Sequence, residues 1–507
     1  MRTIHIRKVV CITLMALCLP SHAVETLTKA KQGPKKTPTL KLAGIFGDNM
    51  VLQRETDAAI WGMAKPNAKV IIQPSWSKSA IEAMADGKGK WLTKIRTPKA
   101  GAGLAIVVKS GGAKVHLKNV LSGEVWICSG QSNMQWKMRG FGVDHFKEDV
   151  QKAKYPQIRL CDVPQIIALK GQDDVSARWK ECNPNTVLNF SAVAYFFGSR
   201  LHQELNVPIG LVSTNWGGSA IEGWISPEVL QKELPSYQAQ TKSYAKWMKE
   251  IGVLHARSGK KPKGLNQSSP CVLFNSMVKP LMPFTFRGVI WYQGESNVKR
   301  PVEYAKLFPA MVRDWRQHWG IGDFPFYYVQ IAPFEYKVEP IPVAFLREAQ
   351  MKALSEPNTG MVVTMDIGEA TNIHPKEKKP VGERLALLAL ARDYGKKDLV
   401  DSGPIYKSSK IEGDKIRLEF DHVGGGLVAK GGELKHFTIA GEDKKFVPAK
   451  AVIDGESVIV SSDSVAKPVA VRFGWGNADL TNFYNQAGLP ASSFRTDNWP
   501  IIRNSKK

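Results

Sequence analysis

Apolar and polar positions along the chain fall into three successive patterns. From Leu40 to Val120 the apolar residues come as short strand-like runs: Ala58-Ala59-Ile60-Trp61, Lys69-Val70-Ile71-Ile72, Leu104-Ala105-Ile106-Val107-Val108 and Val115-His116-Leu117. Turn residues such as Pro66-Asn67-Ala68 and Gly111-Gly112 separate them. Short runs punctuated in this way predict a small β-sandwich over residues 40–120. Between residues 121 and 395 apolar strands alternate instead with helical spacing. Candidate strands are Val125–Cys128, Ile209–Thr214, Gly288–Tyr292, Phe326–Ile331 and Met361–Met365. Val193, Phe197, Leu201 and Leu205 recur at every fourth position, and residues 304–319 and 382–394 carry further helical patterns. Strands alternating with helices predict an α/β region with a mostly parallel sheet covered on both faces. From residue 396 onward short strands return, in Lys415–Phe420, Phe437–Ile439 and, after an Asp454-Gly455 turn, Ser457–Val460, so the C-terminal region is expected to be all-β. The stretch 233–268, rich in Lys, Gln and Ser, reads as an insertion.

Outside these patterns the N-terminus carries Arg2, Arg7 and Lys8, an apolar stretch from Val9 to Leu19, and the small residues Ser21 and Ala23. That is the build of a secretory signal peptide over residues 1–23, followed by a Lys-, Thr- and Pro-rich linker over 24–39. No later segment offers the roughly 20 uninterrupted apolar residues of a membrane-spanning helix. An exported protein, periplasmic or extracellular, is the expectation. Of the six cysteines, Cys128, Cys161, Cys182 and Cys271 lie beyond the leader. An oxidising compartment permits a Cys161–Cys182 bridge, whereas Cys128, inside an apolar run, reads as a buried thiol. The formal charge of +24 would favour anionic partners. The basic residues are dispersed, however, without the arginine-rich, aromatic-interleaved patch of a nucleic-acid surface, so no nucleic-acid partner is expected. Cys and His spacing gives no metal signature, and no cofactor is implied.

The chemistry sits where the candidate strands end. Val125–Cys128 runs into Ser129-Gly130-Gln131-Ser132-Asn133-Met134, Ile209–Thr214 into Asn215-Trp216-Gly217-Gly218-Ser219, and Gly288–Tyr292 into Gln293-Gly294-Glu295-Ser296-Asn297. A fourth strand ends near Asp366, ahead of Asn372-Ile373-His374-Pro375. In parallel sheets the carboxyl ends of strands form one rim. These ends therefore deliver a hydroxyl, glycine backbone, a carboxamide and an imidazole together. Acyl transfer needs those parts: a serine made nucleophilic by a histidine base, and donors for the oxyanion. Taken singly, Ser132 is a turn residue and His374 a helix-capping one; their shared rim makes them candidates.

With these motifs in place the chain resembles the sialate O-acetylesterase-type carbohydrate esterases of the SGNH-hydrolase superfamily. Gly-Gln-Ser-Asn-Met at 130–134, Trp-Gly-Gly-Ser at 216–219, Trp-Tyr-Gln-Gly-Glu-Ser-Asn at 291–297 and Ile-His-Pro at 373–375 carry the likeness. The resemblance implies a flavodoxin-like three-layer α/β/α core flanked by N- and C-terminal β-sandwich-like regions. It also implies Ser132 as nucleophile, His374 as base, and Ser132, Gly218 and Gln293 as oxyanion hole. Many relatives place an Asp three residues before the histidine; here that residue is Thr371. The group that orients His374 is then Glu295, Asp366 or a backbone carbonyl near residues 371–372, with Glu295 favoured. The implied partner is an O-acetylated sugar: a sialic acid first, acetylated xylan or another polysaccharide as the rival. A catalytically silent carbohydrate-binding protein is the reading of a different class. Trp136, Trp216 and Trp224 line a sugar cleft or pack in the core, and Lys376, Lys378 and Lys379 attract a sugar carboxylate or form a solvated face, the latter being the expectation.

Overall fold

The computed structural model describes residues 39–142, 144–251, 254–255, 263–337 and 343–501. The expected leader and nearly all of the linker lie outside the described residues. Seven strands build the centre: β1 (Ala113–Gly130), β2 (Tyr155–Asp162), β3 (Arg178–Cys182), β4 (Ile209–Asn215), β5 (Gly288–Tyr292), β6 (Phe326–Val329) and β7 (Thr359–Val362). They lie in the order β3-β2-β4-β1-β5-β6-β7 within an 11-stranded sheet. All neighbours along this path are parallel except β3, which runs antiparallel to β2 at the edge.

These strands read as near-continuous apolar runs because both faces are covered. The side-chain period of two divides each run between two apolar clusters. Val125 and Ile127 of β1, Val289 and Trp291 of β5 and Phe326 and Tyr328 of β6 join one cluster; Trp126, Cys128, Ile290, Tyr292, Tyr327 and Val329 join the other. The first cluster contains Leu307, Phe308, Met311 and Trp315, and Leu346 and Ala349. Those residues belong to the helices Pro301–Trp319 and Ala344–Lys352. The second contains Val193, Phe197 and Leu201 together with Leu385 and Ala389, from the helices Ala192–Leu205 and Lys378–Arg392. Ser191 caps the first of these by accepting from the Ala194 N–H, and Asn206 ends it in the left-handed region. The structure is thus mixed α/β, with helices on both faces of a largely parallel sheet.

From β1 the chain fills the β2, β3 and β4 side first and only then crosses to β5, β6 and β7. Strand order therefore reverses at β1, and a crevice opens beyond its carboxyl end. β1 is 18 residues long. Its first part is antiparallel to Gly101–Ser110 and its last part parallel to β4 and β5, so one strand runs through the 120/121 position at which the sequence changes pattern. On the C-terminal side, two four-stranded sheets share a core that includes Leu418, Val458, Phe437, Val471 and Phe473. Arg347, fully buried on the helix Ala344–Lys352, fastens that region to the centre by donating to the Gly474 and Gly476 carbonyls, each at 2.8 Å.

Several expectations need correction. The strand expected at 361–365 ends at Val362. β2, β3 and the helix Ala344–Lys352 have no counterpart among the sequence expectations, and the stretch taken as an insertion holds the helix Gln238–Ile251. Cys161 and Cys182 are both buried free thiols. Cys161 faces Trp179 across the β2–β3 ladder while Cys182 faces Tyr155, six residues further along β2. The register shifts between these pairs, and along β3 Cys182 stands three residues from Trp179, roughly 10 Å at about 3.4 Å per residue, which is beyond the approximately 7 Å limit for a bridge.

Candidate active site

The crevice is built first from backbone. Gly130 closes β1 with φ +137°, and a Cβ placed there would sit 2.2 Å from the Tyr292 carbonyl oxygen of β5. Glycine alone allows the two strand ends to approach so closely. The Gln131 N–H then donates to the Tyr292 carbonyl at 2.9 Å. Ser132 opens the short helix α1 (Ser132–Gln135), whose Met134 carbonyl accepts from Ser191 Oγ at 2.6 Å. Ser132 is thereby half-buried on a stiff turn. It lines a cleft of about 440 Å³ together with Gln135, Trp136, Lys137, Arg139, Gly140 and His374.

His374 reaches this cleft from the loop after β7. Asn372 clips the loop by accepting from the His374 N–H at 3.0 Å and donating to the His374 carbonyl at 2.8 Å. The imidazole stacks on Trp136 with centroids 4.2 Å apart and planes 28° apart; Trp136 also stacks on Phe141. Burial, and then the positive charge of Lys378, push the imidazole pKa down to about 4. The ring is therefore neutral at neutral pH, the form a general base needs. It makes no hydrogen bond to any described residue.

Around Ser132 two backbone donors stand free. The Gly217 N–H is taken by Gln135 Oε1 at 2.6 Å. The N–H groups of Ser132 and of Gly218, which has φ +72°, have no acceptor among the described residues. A Cβ on Gly217 would come within 3.3 Å of Ser132 Cβ, so the turn lies directly against the serine. Gln267 and Ser268, from the end of the expected insertion, hold this turn by donating to the Gly217 and Gly218 carbonyls at 3.2 and 2.6 Å.

Gln293 and Glu295 make their hydrogen bonds with groups other than Ser132 and His374. Gln293 is fully buried, and its amide donates to Asn297 Oδ1 at 2.8 Å and to the Ser219 carbonyl at 3.2 Å. Asn297 is itself fixed by the Ile221 N–H and by Glu222, so a buried polar hub claims the Gln293 donors. Glu295 accepts from Asn133 Nδ2 at 2.6 Å and leaves its other oxygen unpaired. Burial raises its pKa, against hydrogen bonds from its own backbone and from Asn133. It makes no hydrogen bond with His374. Asp366, the alternative, is held bidentately by Arg384 at 2.9 and 2.6 Å. Among the described residues no backbone carbonyl reaches the ring either. Stacking on Trp136 and the Asn372 clip orient the imidazole instead.

Of the three tryptophans, Trp136 lines the cleft, Trp216 is half-buried, and Trp224 is core, donating to Ser219 Oγ at 2.9 Å. Among the lysines after His374, Lys378 departs from the expected solvated face: it is buried and donates to Asn133 Oδ1. Asn133, Lys137 and Arg139 are residues of this region that the sequence alone did not single out.

Residues 122–391 match the family described as carbohydrate esterase, sialic acid-specific acetylesterase. The chain is 28% identical to sialate O-acetylesterase of Homo sapiens, over 90% of this chain and 92% of that protein. It is 30% identical to sialate O-acetylesterase of Mus musculus, over 90% and 94%. The crystal structure of a carbohydrate acetylesterase from Xanthomonas citri is similar with a TM-score of 0.80 and 38% identity, covering 90% of this chain and all of that one. This chain belongs to the sialic acid-specific acetylesterase family of carbohydrate esterases, and it is a carboxylic ester hydrolase.

Proposed function

We propose that the protein is a serine-dependent O-acetylesterase acting on acetylated acidic sugars of the sialic acid type. One observation carries this reading: Ser132 and His374 line the same cleft, and His374 is kept in its neutral, proton-accepting form. Ser132 Oγ attacks the acetyl carbonyl carbon while an imidazole nitrogen of His374 takes the hydroxyl proton. The oxyanion then faces the free N–H groups of Ser132 and Gly218, donors of a kind worth about 3 kcal/mol each. Collapse expels the sugar oxygen, which leaves with the proton held by His374, and Ser132 carries the acetyl group. Water, deprotonated by His374, attacks the acetyl-enzyme by the same route and frees acetate. Gln293 stays outside the oxyanion hole in this scheme, and Glu295 acts on the base only through intervening groups.

The choice of an acidic sugar rests on the cleft's charge. Lys137 and Arg139 are exposed there, and no carboxylate lines it. Arg139 has no side-chain hydrogen bond or ion pair among the described residues, which leaves its guanidinium free for a sugar carboxylate. A neutral acetylated polysaccharide such as acetylxylan makes no use of this charge, and a silent binding protein makes none of the neutral His374. The same reading takes the central sheet and its two helix layers as a flavodoxin-like three-layer SGNH core over residues 121–395, between β-sandwich-like regions at 40–120 and 396–507. A leader over 1–23 exports the protein. Among the described residues no helix is long and apolar enough to cross a membrane.

The test is acetate release from O-acetylated sialic acid and from acetylxylan, measured side by side with the wild type and Ser132→Ala. The expected result is faster turnover of the acidic sugar, abolished by the substitution. Hydrolysis that survives Ser132→Ala would overturn the serine mechanism, and preference for acetylxylan the substrate.

A further inference from the structure

The buried lysine beside the cleft has a place in the reaction. We propose that Lys378 is a positioning residue: by holding the side-chain amide of Asn133 in one orientation, it locks the nucleophile turn to the histidine loop. The proposal rests on Ser132 and His374 being nucleophile and base.

Asn133 directly follows Ser132, and Ile373 directly precedes His374. The Asn133 Nδ2 donates to the Ile373 carbonyl at 3.1 Å and to Glu295 Oε1 at 2.6 Å, while its Oδ1 accepts from Lys378 Nζ. One carboxamide thus spans the chain neighbours of both reacting residues. An amide has donors on one side and an acceptor on the other, and a half-turn exchanges them. A lysine ammonium only donates, whereas a carbonyl only accepts, as does an ionised carboxylate. With Lys378 on the oxygen side, only the observed orientation satisfies all three partners.

Lys378, at 1% exposed, is the first residue of the helix Lys378–Arg392, which follows the histidine loop, and its Nζ lies 5.7 Å from the Tyr292 ring centroid at the end of β5. It therefore joins the turn that follows β1, the end of β5, the Glu295 turn and the histidine loop. Burying an ammonium costs several kcal/mol unless it is well paired. Burial pushes the Lys378 pKa down to about 7, against the opposing pull of Glu295 and Glu369. Packing alone gives no reason to keep a lysine there; an apolar side chain of the same length would fill the space without that cost.

The charged groups around the base are few. Lys378 faces His374 from the helix start, Lys137 and Arg139 share its cleft, and Glu295 and Glu369 face Lys378. Removing the Lys378 charge therefore raises the His374 pKa. A loss of position of about 1 Å between reacting groups costs on the order of 100-fold in rate.

The experiment is K378M with steady-state kinetics on an acetylated substrate across pH. Expected are a kcat lower by about 100-fold, a KM within about threefold of wild type, and an acid limb of kcat/KM moved to higher pH, a shift that lost packing alone does not produce. K378A should regain activity with added propylamine, which restores an amine to the vacated space. N133L should lose as much, and the double variant K378M/N133L no more than either single, since both break one connection. A kcat in K378M within threefold of wild type, an unmoved acid limb, or losses that multiply in the double variant would each overturn the proposal. If K378M does not fold, N133L decides with Lys378 intact: wild-type kcat there sinks the idea. Activity in Ser132→Ala removes the mechanism itself, whereas an inactive Ser132→Ala beside a fully active K378M removes only the role of Lys378.

Discussion

The depressed basicity of His374 makes the acid limb of the rate profile the sharpest test of the site. A general base works only when neutral, so the rate falls as pH drops through its pKa. An ordinary imidazole near 6.5 would be only about 3% neutral at pH 5. With its pKa near 4, lowered first by burial and then by Lys378, His374 remains about 90% neutral there. The expected profile of kcat/KM, which reports the free enzyme, is therefore nearly flat from pH 6, where Lys378 with its pKa near 7 keeps its charge, down to pH 5 and half-maximal close to pH 4. A chromogenic aryl acetate, followed at a wavelength where the released phenol absorbs equally in both protonation states, serves as substrate. Its spontaneous hydrolysis is slow in acid. One competing effect has the same sign and must be separated. Between its native pKa and the unfolded value near 6.5, the unfolded chain takes up a proton on His374 that the native state refuses, so stability also declines as pH falls through that window. Enzyme held at each pH and returned to pH 7 must recover full activity for the limb to report His374. A reversible limb centred at pH 6 or above would refute the claim that the ring is desolvated against Trp136 and beside a cation.

Two further outcomes follow from the same geometry. Gly130→Ala places a methyl 2.2 Å from the Tyr292 carbonyl oxygen at φ +137°, where both the clash and the backbone conformation oppose it. Denaturant unfolding is expected to show a loss above about 3 kcal/mol, and a loss under about 1 kcal/mol would mean that the β1 and β5 ends are not so closely joined. Arg139→Gln should raise KM for acetylated sialic acid about tenfold, equivalent to about 1.4 kcal/mol, and leave a neutral acetylated sugar unchanged; equal effects on both substrates would remove Arg139 as the carboxylate partner.

What the sequence revealed and what it hid have physical causes. β4 and β5 were legible because strands buried on both faces are continuous apolar runs ending in glycine-bearing turns. β3 was not: Arg178-Trp179-Lys180-Glu181-Cys182 pairs with one neighbour at the sheet edge and contains only two apolar side chains. Ser132 and His374 stood out because each follows a strand end, and the structure brings both to one cleft. Gln293 and Glu295 follow a strand end too, but the aim of a polar side chain there depends on partners distant in the chain. Ser219 and Asn297 take the Gln293 amide, and Asn133, 162 positions away, takes the Glu295 carboxylate. Lys378 was hidden by its neighbours, since Lys376 and Lys379 make the stretch look uniformly solvated. A signal was nonetheless present. Lys378 lies four residues before Gly382 and seven before Leu385, on the stripe that the helix buries, and the expected helix start at 382 was one turn late. Continuing that stripe back by one turn puts a cation on the buried face, four residues after the base. A charged residue there is costly unless neighbouring groups use it, and the Asn133 amide between Ser132 and His374 is the neighbour that does.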